Sequence, residues 1–229
     1  MKDKKIAIYI SDGVTSNTIN VWLKHFKSGL VKNLSVLKAG DFIYDTLKQY
    51  DCIILPGGSG SKICNTLTWV GRAALMTYVK NGGKVLGVCA GAYALSSGYE
   101  WSLGLINYEL VDKENAHRGE TNMPFKVTDK GKKLLKIKED TLPGIYYHNG
   151  PVWKRFVEGF PVEENVLMTF TEDIYSENGT PGQVVDTPAA VHTRYGEGHV
   201  VAISPHFEKS PGYEYIIRNV IQFLLKRKN

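Results

Sequence analysis

The chain has 229 residues, of which 43% are apolar and 22% charged, and its 28 basic and 23 acidic side chains give a formal charge of +5. Disorder and coiled coil are excluded by such a composition, which describes one compact soluble domain over residues 1–229 with room for a modest insertion. The mild charge and the lack of aromatic residues among the basic runs argue against nucleic acid as a partner.

No apolar run approaches the roughly 20 residues needed to cross a bilayer. The N-terminal run Ile6-Ala7-Ile8-Tyr9-Ile10 is halted at once by Ser11-Asp12-Gly13, so neither a membrane span nor export is expected. Cysteines at 52, 64 and 89 are odd in number and have no C-x-x-C spacing. That pattern predicts a reducing, cytoplasmic setting without disulfides or a thiolate metal site.

Lys5 to Ile10 reads as a strand buried on both faces, which points to a parallel sheet. Thr15 or Ser16 caps a helix with Ile19, Trp22, Leu23, Phe26 and Leu30 at helical spacing, and Leu34 to Leu37 is a second strand. Phe42 to Gln49 is expected to be helical. Asp51 to Leu55 is a third strand, broken by the turn Pro56-Gly57-Gly58-Ser59-Gly60. A helix from Trp69 to Lys80 stops at Asn81-Gly82-Gly83, and Lys84 to Val88 runs into a small-residue helical stretch, Cys89 to Leu95. Four strand-helix repeats define an α/β fold with a mainly parallel sheet.

The texture changes at about residues 101–165, where scattered Gly, Pro and Asn and short alternations such as Phe125-Lys126-Val127 predict a β-rich insertion appended to the sheet. Val166 to Phe170, Ala189 to Tyr195 and His199 to Ile203 are further strands, the last two joined as a hairpin at Gly196-Glu197-Gly198. A helix from Tyr213 to Lys226 closes the chain, and the tail Lys226-Arg227-Lys228 puts cations where the helix dipole favours them.

The chemistry concentrates at Gly87-Val88-Cys89-Ala90-Gly91, a G-x-C-x-G at a strand-to-helix junction with the form of a nucleophile elbow. The turn is tight enough that a Cβ at either glycine would strike a neighbouring strand or helix. A helix N-terminus also favours a thiolate. Cys52, within a strand, and Cys64, ahead of a helix, are expected to be structural. The base for Cys89 is His206 in Ser204-Pro205-His206-Phe207-Glu208, with Glu208 two residues on to fix the tautomer. Strand ends at the carboxyl edge of one parallel sheet share a crevice, so their distance in sequence is no obstacle. The backbone N–H groups of Gly58 and Ala90 are candidates for an oxyanion hole. The glycine turn is not a phosphate loop, because no Lys-Ser or Lys-Thr follows and Gly-x-Gly-x-x-Gly is absent. His25, His117, His192 and His199 lack zinc spacing. His148, in the aromatic run Tyr146-Tyr147-His148-Asn149-Gly150-Pro151, suits the wall of a ligand pocket.

The elbow, the Pro-Gly-Gly turn and the His-x-Glu pair, in this order, resemble the class I glutamine amidotransferase-like superfamily. Within it, Tyr9 to Ser16, Leu55-Pro56-Gly57-Gly58, Gly87 to Tyr93 and Tyr147-His148-Asn149-Gly150 are similar to the N-terminal domain of eukaryotic biotin-protein ligases and its stand-alone relatives. The resemblance implies a flavodoxin-like three-layer sandwich, a Cys89-His206-Glu208 triad and a substrate site including Gly57, Tyr93, His148 and Asn149. Three positions depart from the pattern. Tyr93 stands where amidotransferases carry the glutamine that helps hold a substrate glutamine. Phe207 replaces the proline of His-Pro-Glu, and Ala90 stands where the related protease and deglycase branch has histidine. No biotin-ligase catalytic domain fits in the remaining length, so biotin transfer is not expected.

The sequence thus predicts a cysteine hydrolase or amidase acting on a small amide-containing substrate, without metal or cofactor. The rivals are a catalytically silent ligand-binding or regulatory module and a thiol-reactive carbonyl or redox protein. The oligomeric state is left open.

Overall fold

The computed structural model describes residues 4–27, 29, 34–111, 113, 119–157, 164–174 and 180–226. Leu30, His117, Arg227 and Lys228 lie outside the described residues. The chain runs β1 (Ile6–Tyr9), α1 (Ser16–Lys27), β2 (Leu34–Leu37), α2 (Tyr44–Leu47), β3 (Cys52–Leu55), α3 (Gly60–Lys80), β4 (Lys84–Val88) and α4 (Ala90–Leu95). Then follow β5 (Tyr108–Leu110), β6 (Glu120–Val127), α5 (Asp129–Leu135), β7 (Thr141–His148), β8 (Trp153–Arg155), β9 (Glu164–Phe170), β10 (Pro188–Tyr195), β11 (Gly198–Ile203) and α6 (Tyr215–Lys226).

Among the described residues the main sheet has nine strands in the order β2-β1-β3-β4-β11-β10-β9-β6-β7. The first five pair in parallel, and β10, β9, β6 and β7 continue the sheet antiparallel. The parallel part has the flavodoxin-like order, whose direction of winding reverses between β1 and β3. Side chains alternate between the two faces of each strand. Ile6 and Ile8 therefore pack with Trp22 of α1 and with Ile217 and Val220 of α6. Ala7 and Tyr9 pack on the other face with Ile63 and Leu75 of α3. The result is the expected three-layer sandwich.

The middle of the chain is built into the sheet. The antiparallel pair β6 and β7 forms its far edge, while β5 and β8 make a separate two-stranded ribbon. The region also holds α5, whose first turn is capped by Thr128 Oγ1 accepting from the Gly131 N–H at 3.0 Å. Asp129-Lys130-Gly131-Lys132-Lys133 is too short and polar to show an apolar period, which is why no helix was expected there.

Two further elements differ from expectation. The segment from Phe42 to Gln49 is helical only over Tyr44–Leu47, after a 3₁₀ turn at Ala39–Asp41. The long helix α3 begins at Gly60, nine residues before the expected start at Trp69, and it is broken at Thr68, whose φ of 58° and ψ of −179° are not helical. Cys64 therefore lies inside the helix and is buried there. Among the described residues no helix is long and apolar enough to cross a membrane.

Candidate active site

The site lies at the carboxyl edge of the parallel strands, where the loops after β1, β3, β4 and β11 converge. Cys89 follows β4 directly, with φ 51° and ψ −104°, a backbone conformation that is strained for any residue but glycine. Its neighbours hold it there. The Cys89 N–H donates to the Ile203 carbonyl of β11 at 2.8 Å, and the Gly91 N–H donates to the Pro56 carbonyl at 3.1 Å.

The glycine requirement has a direct geometric cause. A Cβ on Gly91 would stand 1.9 Å from the Leu55 carbonyl oxygen of β3, and one on Gly87 would stand 2.5 Å from Leu95 Cδ1 and 2.7 Å from the Gly91 carbonyl carbon. Strand and helix thus press on the bend from both sides, as the sequence predicts.

His206 leaves the end of β11 through Ser204 and Pro205. Its N–H donates to the Tyr146 carbonyl at 2.8 Å, and its carbonyl accepts from Ser210 Oγ at 2.7 Å. The turn survives the replacement of proline by Phe207, since Phe207–Lys209 forms a 3₁₀ turn and the phenyl ring is buried. That turn brings Glu208 Oε1 to 2.6 Å from His206 Nδ1. Cys89 stands beside the same imidazole, since a Cβ on Gly57 would be 2.9 Å from His206 Cε1 and 3.8 Å from Cys89 Cβ, and the Cys89 thiol donates to the His148 carbonyl at 3.5 Å. Burial opposes charge on His206, but the Glu208 carboxylate, which accepts from its Nδ1, and the neighbouring Cys89 outweigh it, and the imidazole is pushed up to about 10. On the far side, His25 Nε2 contacts the Glu208 carbonyl at 2.6 Å. Cys89 is thus brought together with His206 and Glu208, which lie more than a hundred residues later in the sequence.

Cys52 and Cys64 lie apart from this site, in β3 and α3. Burial pushes each of these thiols up to about 12.

A cleft of about 680 Å³ opens over Cys89 and His206. Gly58, Tyr93, His148 and Asn149 line it. Neither the Gly58 nor the Ala90 N–H is taken by a backbone carbonyl among the described residues. Gly57 does not line the cleft wall. It lies beneath, where a Cβ would be 2.9 Å from His206 Cε1 and 3.8 Å from Cys89 Cβ, so its smallness lets the imidazole approach the thiol. The Asn149 amide oxygen is committed to the scaffold, accepting from the Gly119 N–H at 2.8 Å.

Several wall residues were not singled out in the sequence. Tyr99 and Trp101 stack at 4.6 Å between centroids, and both line the cleft with Glu120 and Lys209, beside Tyr146 of the aromatic run. Arg72, one turn after the break in α3, fixes this wall by donating from Nη1 to the Trp101 carbonyl at 3.0 Å. The Tyr-x-Trp spacing directly after the elbow helix is the one local signal that could have drawn attention to the pair. His192 and His199 flank the hairpin turn between β10 and β11 and face each other across the two strands, with His192 Nε2 3.0 Å from His199 Nδ1. Among the described residues no group of three or more His, Cys, Asp or Glu is arranged to hold a metal ion.

The model of the family described as "Biotin-protein ligase, N terminal" matches residues 4–221. No curated protein matches the chain. Among solved structures, the chain is similar to a ThuA-like protein from Bacteroides uniformis, with 15% identity, TM-score 0.69 and coverage of 99% of this chain and 93% of that one. It is similar to PurLQS from Thermotoga maritima at 16% identity and TM-score 0.68, covering 98% of this chain and 100% of that one. A glutamine amidotransferase from Thermotoga maritima has 12% identity and TM-score 0.61, with 98% and 99% of the two chains covered. At such identities the likeness is one of fold.

Proposed function

Because the chain belongs to the biotin-protein ligase N-terminal family and has a glutamine amidotransferase-like fold, we propose that it is a cysteine-dependent hydrolase or amidase for a small amide-containing substrate. Cys89 is the nucleophile, His206 its acid–base partner and Glu208 the residue that orients His206. One observation carries the reading: the strained Cys89 stands beside an imidazole whose Nδ1 is 2.6 Å from the buried Glu208 carboxylate.

An imidazolium beside the sulfur favours the thiolate, the form that attacks. Sulfur adds to the amide carbonyl carbon, and the N–H groups of Gly58 and Ala90 receive the negative oxygen. His206 passes its proton to the leaving nitrogen as the C–N bond breaks, which leaves a thioester on Cys89 and a neutral imidazole. Water then gives a proton to His206 and adds to the thioester. The acid departs, and the thiolate and imidazolium are restored.

Tyr93, standing where an amidotransferase glutamine would be, favours a second reading, a ligand-binding module that does not turn over. A panel of small primary and secondary amides separates the two. Amine release by the wild type that falls roughly 10³-fold or more in Cys89→Ala supports the enzyme. Ligand binding without turnover, unchanged in that variant, supports the module.

A further inference from the structure

Glu120 on β6 and His148 on β7 are direct cross-strand partners in the antiparallel register. Tyr146 is two residues before His148 and so shares its face of the sheet, whereas Tyr147 points the other way into the core and is fully buried. Three polar side chains thus meet on one wall of the cleft.

Their hydrogen bonds fix a proton order. Tyr146 Oη donates to Glu120 Oε1 at 2.7 Å. A carboxylate has no proton to give, so the single phenolic hydrogen is spent there. The contact of 3.1 Å between Tyr146 Oη and His148 Nδ1 must therefore be donation from Nδ1–H to the phenol oxygen. Glu120 Oε2, 4.0 Å from the same nitrogen, favours that arrangement. Burial, and then the bond to Glu120, push the Tyr146 phenol up to about 12, which keeps it a donor. A neutral imidazole has only one ring proton, so Nε2 of His148 carries a lone pair. Among the described residues nothing hydrogen-bonds Nε2, and the ring lines the cleft. The main chain of His148 meanwhile touches the nucleophile, its carbonyl oxygen lying 3.5 Å from Cys89 Sγ.

We infer that His148 is a specificity-determining residue whose Nε2 accepts a hydrogen bond from the substrate, so that the preferred amides carry an amino or hydroxyl donor near the scissile group. This rests on the reading of Cys89 as nucleophile. Glu120 and Lys209, of opposite charge, line the same cleft, so charge alone does not choose between the two donors.

The test uses three chloroacetamides that alkylate the nucleophile without any hydrolysis: the N-(2-aminoethyl), N-(2-hydroxyethyl) and N-propyl derivatives. At least one donor-bearing reagent is expected to label Cys89 roughly tenfold faster than the propyl compound, about the worth of one hydrogen bond. Which of the two it is reports whether a charged or neutral donor is preferred. His148→Phe should bring the ratio to about one, and Tyr146→Phe, which frees the tautomer while keeping the ring, should lower it partway. Equal rates in the wild type, or a preference that persists in His148→Phe, would overturn the inference. Labelling of Cys89 no faster than that of Cys52 by every reagent would overturn the nucleophile reading and this one with it. A His148-dependent preference in a protein that hydrolyses no amide would support the recognition role while refuting the enzyme.

Discussion

His206 Nδ1 stands 2.6 Å from Glu208 Oε1, with side-chain exposures of only 3% and 0%. Burial disfavours the imidazolium, yet the carboxylate and the neighbouring Cys89 raise His206 from 6.5 to about 10. The folded protein therefore keeps a proton that the unfolded chain releases first. A raised pKa of this kind contributes stability that is complete below about 6.5 and is lost as pH rises through about 10. Thermal melts across that interval should show the wild type losing more stability than His206→Gln. Parallel curves would contradict the assignment.

Removing the charge at Glu208 tests the same pair through catalysis. Glu208→Gln keeps the shape of the side chain but leaves the imidazolium without its partner. The expected result is a fall in kcat for amide cleavage of roughly 10²–10⁴-fold, with the most alkaline part of the pH profile affected first. An unchanged kcat would remove Glu208 from the mechanism.

Gly91 and Gly40 make a contrast in what a methyl group meets. The Cβ of an alanine at 91 would stand 1.9 Å from the Leu55 carbonyl oxygen, whereas one at 40 meets nothing within 4 Å. Gly91→Ala should destabilise the protein by about 3 kcal/mol, because β3 or α4 must shift. Gly40→Ala should stay within about 0.5 kcal/mol of the wild type. Urea unfolding midpoints decide it, and similar values for the two variants would refute the steric account of the elbow.

Thr68 occupies a backbone region, φ 58° and ψ −179°, that is almost reserved for glycine and costs roughly 1–3 kcal/mol for other residues. At the break its carbonyl accepts from Arg72 Nε at 3.3 Å. Glycine would supply that too. Thr68→Gly should raise stability by about 1 kcal/mol after the entropic cost of glycine, read as a higher urea midpoint. A lower midpoint would mean that the side chain contributes more than the strain costs.

The parallel half of the sheet was legible because strands covered on both faces read as continuous apolar runs, and β4 and β2 have the bounds their sequences predict. Cys89, His206 and Glu208 could be grouped from sequence because strand ends at one edge share a crevice. The antiparallel half was harder. β6 opens on Glu120-Thr121-Asn122 and contains Pro124 at a register shift between Met123 and Phe125, so no clean alternation survives. The start of α3 was hidden by its Gly-Ser opening and by Thr68. The Glu120–Tyr146–His148 chain depends on a cross-strand register between segments some 26 residues apart, which no local motif encodes.

Alkylation at neutral pH with limiting iodoacetamide, mapped by peptide mass spectrometry, puts the central claim to the most direct test. The account predicts modification confined to Cys89, with Cys52 and Cys64 protected by burial and by thiol pKa values of about 12. It also predicts that His206→Gln slows the Cys89 reaction by roughly tenfold or more, as the thiolate loses its imidazolium. A Cys89 that reacts no faster than Cys52, or whose rate is unaffected by losing His206, would contradict it.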